Sequence, residues 1–200
     1  MSAPTPSVND TPKSRPDALP GAQSEVTSHK SYITSFLAYR SLWLLATIVF
    51  SADQITKEMI AARLPYGSFG PGRQIEIIPG FFNLVHVGNT GAAWSMFSGK
   101  SLGLAFVAVG ALIAIFIWRR SLGLHYRGAQ PAFGLLCGGI LGNLVDRVRH
   151  GHVIDFLDVH FGSYIYPTFN VADSAICVGV FWYVFWSLRQ PAENNAKPET

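Results

Sequence analysis

Charged residues leave four long gaps along this chain. The first, from about Ser41 to Ala62, reads SLWLLATIVFSADQITKEMIAA and is interrupted by Asp53, Lys57 and Glu58. The second, Ser101 to Trp118, holds 18 residues without a charge and stops at Arg119 and Arg120. The third, from about Pro131 to Val145, is uncharged until Asp146 and Arg147, and the fourth, Val171 to Leu188, carries Asp173 at its beginning and stops at Arg189. A helix rises about 1.5 Å per residue and needs about 20 residues to cross hydrocarbon, so each gap with its flanking residues predicts a membrane-spanning helix. Between the first two lies a different pattern. Residues 65–100 include IEIIPGFFNLVHVGNTGAAWSMF, whose short β-branched and apolar runs, broken at Pro79-Gly80 and Gly88, predict small strands and turns. A connection this long and apolar suits a functional surface resting on the outer leaflet better than a plain connector.

The expected fold is therefore a mostly α membrane protein, with four transmembrane helices over residues 35–190 and a small extracytoplasmic β-rich cradle at 65–100. Residues 1–34, rich in Pro, Ser, Thr and Ala, cannot bury enough apolar surface to offset the entropy of ordering and predict a disordered cytoplasmic tail. They lack the succession of basic patch, apolar core and small-residue cleavage site that marks a removable secretory signal. Residues 191–200 form a second short cytoplasmic tail.

Composition agrees with lipid. Charged residues make up 14% of the chain, against about 25% in an average soluble domain. The net charge of +3 comes from basic residues scattered over ends and connections, without a patch interleaved with aromatics, which argues against a nucleic-acid partner. Lys and Arg collect on the cytoplasmic side of membrane helices. With four crossings, the side holding both termini carries nine (Lys13, Arg15, Lys30, Arg40, Arg119, Arg120, Arg127, Arg189, Lys197) and the other six (Lys57, Arg63, Arg73, Lys100, Arg147, Arg149), so both termini are expected in the cytoplasm. Cys137 and Cys177 fall in apolar segments and read as small buried hydrophobes, with no disulfide framework or metal spacing.

That topology brings two carboxylates together. The third span runs outward and the fourth inward, so Asp155, in the loop between them, and Asp173, at the start of the fourth, meet near the outer face. A charge deep in a bilayer costs at least about 2.5–3.5 kcal/mol, and ionisable residues kept there usually mark function. Two carboxylates within hydrogen-bonding reach cannot both ionise, so one holds a proton while the other is anionic, an acid/base pair able to activate water against a peptide carbonyl. For Asp173 the alternative is helix capping, since it sits where a carboxylate favours the helix dipole.

Other polar residues in the spans have plainer readings. Asn143, Asp146 and Arg147 share one helix face by their spacing. Asp146 with Arg147 reads as a fold-holding pair, while Asn143 and Arg147 can also donate hydrogen bonds to the carbonyls of an extended peptide. Asp53 and Lys57, four apart with the acid first, read as a structural ion pair. Gly134, Gly138 and Gly142 form a small-residue stripe that permits close approach of a neighbouring helix. His150 and His152 near Asp155 and Asp158 suggest a metal site only weakly, because recognisable ligand spacing is absent. Ser51 and Lys57, six apart, would point to different faces, which argues against nucleophilic catalysis.

Taken together, Asp53-Gln54-x-x-Lys57, Asn89-x-Gly91-Ala92-Ala93, Gly138-Gly139 followed by Gly142-Asn143-Leu144-x-Asp146-Arg147, Val153-x-Asp155, and Phe169-Asn170-x-Ala172-Asp173-Ser174 resemble, in order and spacing, lipoprotein signal peptidase over about residues 35–190. The resemblance implies an inner-membrane aspartyl endopeptidase with its site near the periplasmic face. Its substrates would be prolipoproteins carrying diacylglycerol on the lipobox cysteine, cleaved just before that cysteine. By motif position it implies Asp155 and Asp173 as the catalytic dyad, Asn89, Asn143, Arg147 and Asn170 as substrate-binding positions, and Asp53, Lys57 and Asp146 as structural support. No metal or cofactor is implied. Membrane lipids and the cyclic peptide globomycin are implied as partners, and a monomer is expected. Two departures are visible: Trp94 stands where Phe is usual, and the first tail is longer than typical. A proton-coupled transporter and a non-catalytic assembly factor are the rival classes. The acids lie at one end of the spans, without an internal repeat, which does not suit a midplane transport site.

Overall fold

The computed structural model describes residues 38–92 and 96–190; the tails expected at 1–34 and 191–200, and Trp94, lie outside them. The described chain runs α1 (Arg40–Arg63), β1 (Ile75–Ile78), β2 (Phe82–Asn89), α2 (Ser101–Ile117), α3 (Gln130–His150), β3 (Val153–Phe161), β4 (Tyr164–Ile165) and α4 (Val171–Leu188). It is thus a mixture of helices and one antiparallel sheet, with strand order β1-β2-β3-β4.

The four predicted spans became the four helices, the third running on past Val145 to His150. α3 is the central one and packs against α1, α2 and α4. Its glycine stripe explains how closely: a Cβ on Gly134 would lie 2.8 Å from the Leu42 carbonyl oxygen, and one on Gly138 only 2.7 Å from that of Ala46. Gly139 meets the backbone of Ala172 on α4, and Gly142 faces the Asp53 carboxylate. Both flanks of α3 therefore touch neighbouring backbone, as small residues allow.

The loop expected between the third and fourth spans is instead largely β3. α3 ends at Gly151, whose φ of +74° lets the chain leave the helix in a left-handed turn and start the strand two residues later. β3 pairs antiparallel with β2, matching Val87 with Asp155 and Asn89 with Val153, across an irregularity between Leu84 and Val87. The run VIDFLDVHF is β-branched and aromatic, but its two aspartates mask the alternation, and its partner strand lies far back in the sequence.

Alongside an apolar core, polar and charged side chains are buried and large apolar ones exposed. Lys57, Gln130, Asp53, Asp146, Asp155, Asp158 and Asn170 are among the largest fully buried side chains, while Phe116, Trp118, Phe181 and Leu188 face outward. Gln130 secures the far end of the bundle, accepting from Ser41 Oγ at 2.6 Å and donating to the Ala38 carbonyl at 2.7 Å. Beside it Leu42, Leu124, Ala129 and Phe133 form an apolar cluster flanked by Tyr39, Tyr183 and Trp186. Among the described residues α4 is long and apolar enough to cross a membrane by length and composition; α2 is apolar but 17 residues long.

Candidate active site

A buried ion cluster on α1 and α3 underlies the site. Lys57 Nζ lies 2.7 Å from Asp53 Oδ2 and 2.8 Å from Asp146 Oδ2, with its side chain 2% exposed. The pair expected between Asp146 and Arg147 does not form. Adjacent helical residues point about 100° apart, so Asp146 turns to α1 while Arg147 donates to the carbonyls of Asn143 (3.2 Å) and Gly91 (3.1 Å). Asp53 also accepts the backbone N–H of Ala172 at 2.9 Å, and Asp146 that of Ile154 at 3.1 Å, which ties α4 and β3 to the cluster. Gln54 is the neglected member: its Nε2 reaches Asp53 Oδ2, the Gly142 carbonyl and Asp146 Oδ1 at 3.1–3.3 Å. A polar amide inside an apolar span was the signal for it.

Above this cluster three amides set the two aspartates. Lys57 Nζ donates to Asn143 Oδ1 at 3.0 Å, so the Asn143 amide nitrogen is turned toward Asp173 Oδ1, 2.7 Å away. Asn170 Nδ2 donates to Asp155 Oδ1 at 2.8 Å and also lies 3.2 Å from Asn143 Oδ1. Asn89 Nδ2 donates to Asp155 Oδ2 at 3.0 Å, while its own carbonyl accepts the Gly91 N–H. Asn170 is also the N-cap of α4 and Asp173 its third residue: Asn170 Oδ1 accepts the Asp173 N–H at 2.9 Å and Asp173 Oδ2 accepts the Asn170 N–H at 3.3 Å. Capping and facing the site are therefore the same arrangement for Asp173.

Asp155 and Asp173 both border one cavity of about 610 Å³. Asn89, Asn143 and Arg147 lie at its polar wall, and Val159, Phe161, Tyr166, Phe169 and Ile176 at its apolar one. Burial, and next the like charge of Asp173, push the Asp155 carboxyl up to about 7, against the donated hydrogen bonds of Asn89 and Asn170 and the more distant Lys57. Such a carboxyl titrates where an acid/base catalyst works. Cys177 departs from the expectation of a buried hydrophobe: it is exposed and lines the cavity, because it follows Asp173 by one helical turn.

Among the described residues, His150, His152, Asp155 and Asp158 do not converge into a metal-binding group. Asp158 belongs to the opposite face of β3 from Asp155, paired with His160 Nε2 at 2.7 Å and Asn83 Nδ2 at 3.0 Å. His152 packs against the Tyr66 ring, 5.2 Å between centroids. Asn83 and Asp158 are a cross-strand pair that only the β2–β3 register brings together.

A family model described as signal peptidase (SPase) II matches residues 45–189. The chain belongs to the signal peptidase II family. It is 42% identical over 149 residues to the lipoprotein signal peptidase of Syntrophotalea carbinolica, covering 71% of this chain and 87% of that one. It is 36% identical over 175 residues to that of Vibrio vulnificus, covering 84% and 99%. Among solved structures it is similar to a bacterial membrane enzyme determined by the in meso method at 2.3 Å resolution, with TM-score 0.64 and 34% identity over 78% of this chain and 92% of that one. As a signal peptidase II the chain is a peptidase, a hydrolase, and a membrane protein.

Proposed function

We propose that this signal peptidase II removes signal peptides from diacylglyceryl-modified prolipoproteins at the outer face of the bacterial inner membrane, cutting just before the lipidated cysteine, with Asp155 and Asp173 as its catalytic dyad. One observation carries the reading: two carboxylates from different elements border one cavity, and each of their four oxygens accepts an N–H. A single proton shared by the pair leaves one base and one acid. The anionic carboxylate takes a proton from water as its oxygen attacks the scissile carbonyl carbon, and the protonated carboxyl gives its proton to the carbonyl oxygen. Collapse of the tetrahedral intermediate returns that proton, breaks the C–N bond and passes a proton to the departing amine. Asn143, Arg147, Asn89 and Asn170 hold the extended substrate and the dyad, and Asp53, Lys57 and Asp146 brace them.

The four helices cross the membrane, both termini lie in the cytoplasm, and the sheet lies on the periplasmic side. The outward-facing aromatic and aliphatic side chains of α1, α2 and α4 and the nine-to-six basic asymmetry support this. The domain plan keeps tails at 1–34 and 191–200 around a peptidase of residues 35–190 that acts as a monomer. Holding the acyl chains in lipid concentrates the scissile bond at the depth of the dyad. The test is gel-shift cleavage of a purified lipidated precursor, with and without globomycin. Wild-type protein should cleave and globomycin should stop it, whereas normal cleavage by Asp155→Asn or Asp173→Asn would refute the dyad.

A further inference from the structure

A second cavity of about 480 Å³ adjoins the first, lined by Phe69, Val87, Tyr164 and Tyr166 among others. Its floor is the sheet face that presents Asp155. Val87 and Asp155 are register partners across β2 and β3, and residues directly opposite one another on paired strands point to the same side. Tyr166, Pro167 and Thr168 border both cavities, so the groove and the dyad cavity meet along that segment. Phe69 and Tyr164 stand at the groove as exposed aromatics, 43% and 52% accessible.

The position of the dyad says what such a groove receives. Asp173 lies in the first turn of α4 and Asn143 and Asp146 in the last turns of α3, so the dyad sits at the end of the helix bundle, with the sheet beyond it. A substrate bond held there divides the substrate in two. Its membrane-resident signal segment belongs with the bundle, and the acyl chains of its modified cysteine belong in lipid. The polypeptide beyond the cleavage point is the part that must pass over the sheet. An extended peptide alternates its side chains on either side of its backbone, which suits a trough with a strand floor and aromatic rims.

We propose that the groove between Phe69 and Tyr164–Tyr166 seats, in extended conformation, the residues of the prolipoprotein that follow the cleavage point. The proposal rests on the dyad reading above and adds a subsite to it. Full-length protein in bicelles is given lipidated substrates with one signal segment and either two or about eight residues after the modified cysteine, and kcat/KM is measured for each. In the wild type the longer substrate should be favoured about tenfold, equivalent to about 1.4 kcal/mol. Phe69→Ala combined with Tyr164→Ala, both at exposed positions, should bring that ratio down to about two or below, as should Val87→Trp, which fills the floor. A wild-type ratio near one, or a ratio unaltered in the aromatic double variant, overturns the proposal. So does a double variant that changes dependence on acyl-chain length in place of polypeptide length, because the groove then holds lipid. Cleavage of the short substrate by Asp155→Asn would instead overturn the dyad reading, and the subsite with it.

Discussion

At the scale of single residues, the site is a set of buried ionisable groups held by hydrogen bonds and ion pairs. Asp155 is the sharpest case. Its carboxyl is held up to about 7 in the fold, against 3.8 for an ordinary aspartate, so between those values the folded protein keeps a proton that the unfolded chain has released. The contribution of this carboxyl to stability is therefore full below about pH 4 and is lost as pH rises toward 7. Thermal unfolding in detergent should show the wild type losing ground to Asp155→Asn as pH rises through this window, and parallel melting curves would contradict it. Activity should fall as the pH climbs above about 7 and the shared proton leaves the pair. Asp155→Asn should lower kcat by about a thousandfold in single-turnover cleavage, the scale of a lost acid/base group. Lys57 plays a different part. Lys57→Met would strand Asp53 and Asp146 as buried unpaired carboxylates, and a loss of about 3–5 kcal/mol in denaturant unfolding is expected.

At the scale of elements, α3 matters most, because it faces α1 with Gly134 and Gly138 and α4 with Gly139. A side chain at Gly138 would have to displace the Ala46 backbone 2.7 Å away, not a flexible side-chain end. Gly138→Leu should therefore cost about 1–3 kcal/mol and separate Asn143 from Lys57, lowering both the melting temperature and cleavage. The same substitution at Gly110 of α2, where a Cβ meets nothing within 4 Å, should leave both unchanged; equal effects at the two positions would count against the packing argument. Much at this scale was legible. The limits of α2 and α4 follow from charge gaps, and the closeness of α1 and α3 from glycines four apart; α3 runs on past Asp146 and Arg147 to the Gly151 cap. The pairing of Asp146 was not legible, because choosing between the neighbouring Arg147 and the distant Lys57 requires the rotation of α3 against α1.

At the scale of the whole molecule, the distribution of polarity is the main fact. Ile113 and Phe116 are more than half exposed on α2, and Phe181 and Phe185 likewise on α4, while Asp53, Lys57, Asp146, Asp155 and Asp158 are buried. Where the four helices cross the membrane as proposed, those outer faces meet lipid. Ile113→Arg should then cost about 2.5–3.5 kcal/mol of membrane insertion, read as a lowered integrated fraction in a glycosylation-tag assay. Insertion equal to wild type would place α2 outside the hydrocarbon. The sheet extends the bundle, and the face that carries Val87 and Asp155 borders both the cavity of the two aspartates and the groove beside Val87.

By itself the sequence determined the number of helices and, except for the third, which runs past its first charges to His150, where they end. It also determined the strand-like character of 65–100 and the motifs that name the family. Each of these is written in local composition or spacing, since the cost of placing charge in lipid and the need of close helices for small residues act position by position. Tertiary structure alone decided that β3 is a strand, that Asp146 serves Lys57, that Asn143 and Asn170 aim their amide nitrogens at the two aspartates, and that Asp158 faces away from them. Those outcomes depend on register and on the rotation of one element against another. They are set by contacts between residues as much as 119 positions apart, such as Asp53 with Ala172, and no local pattern carries them.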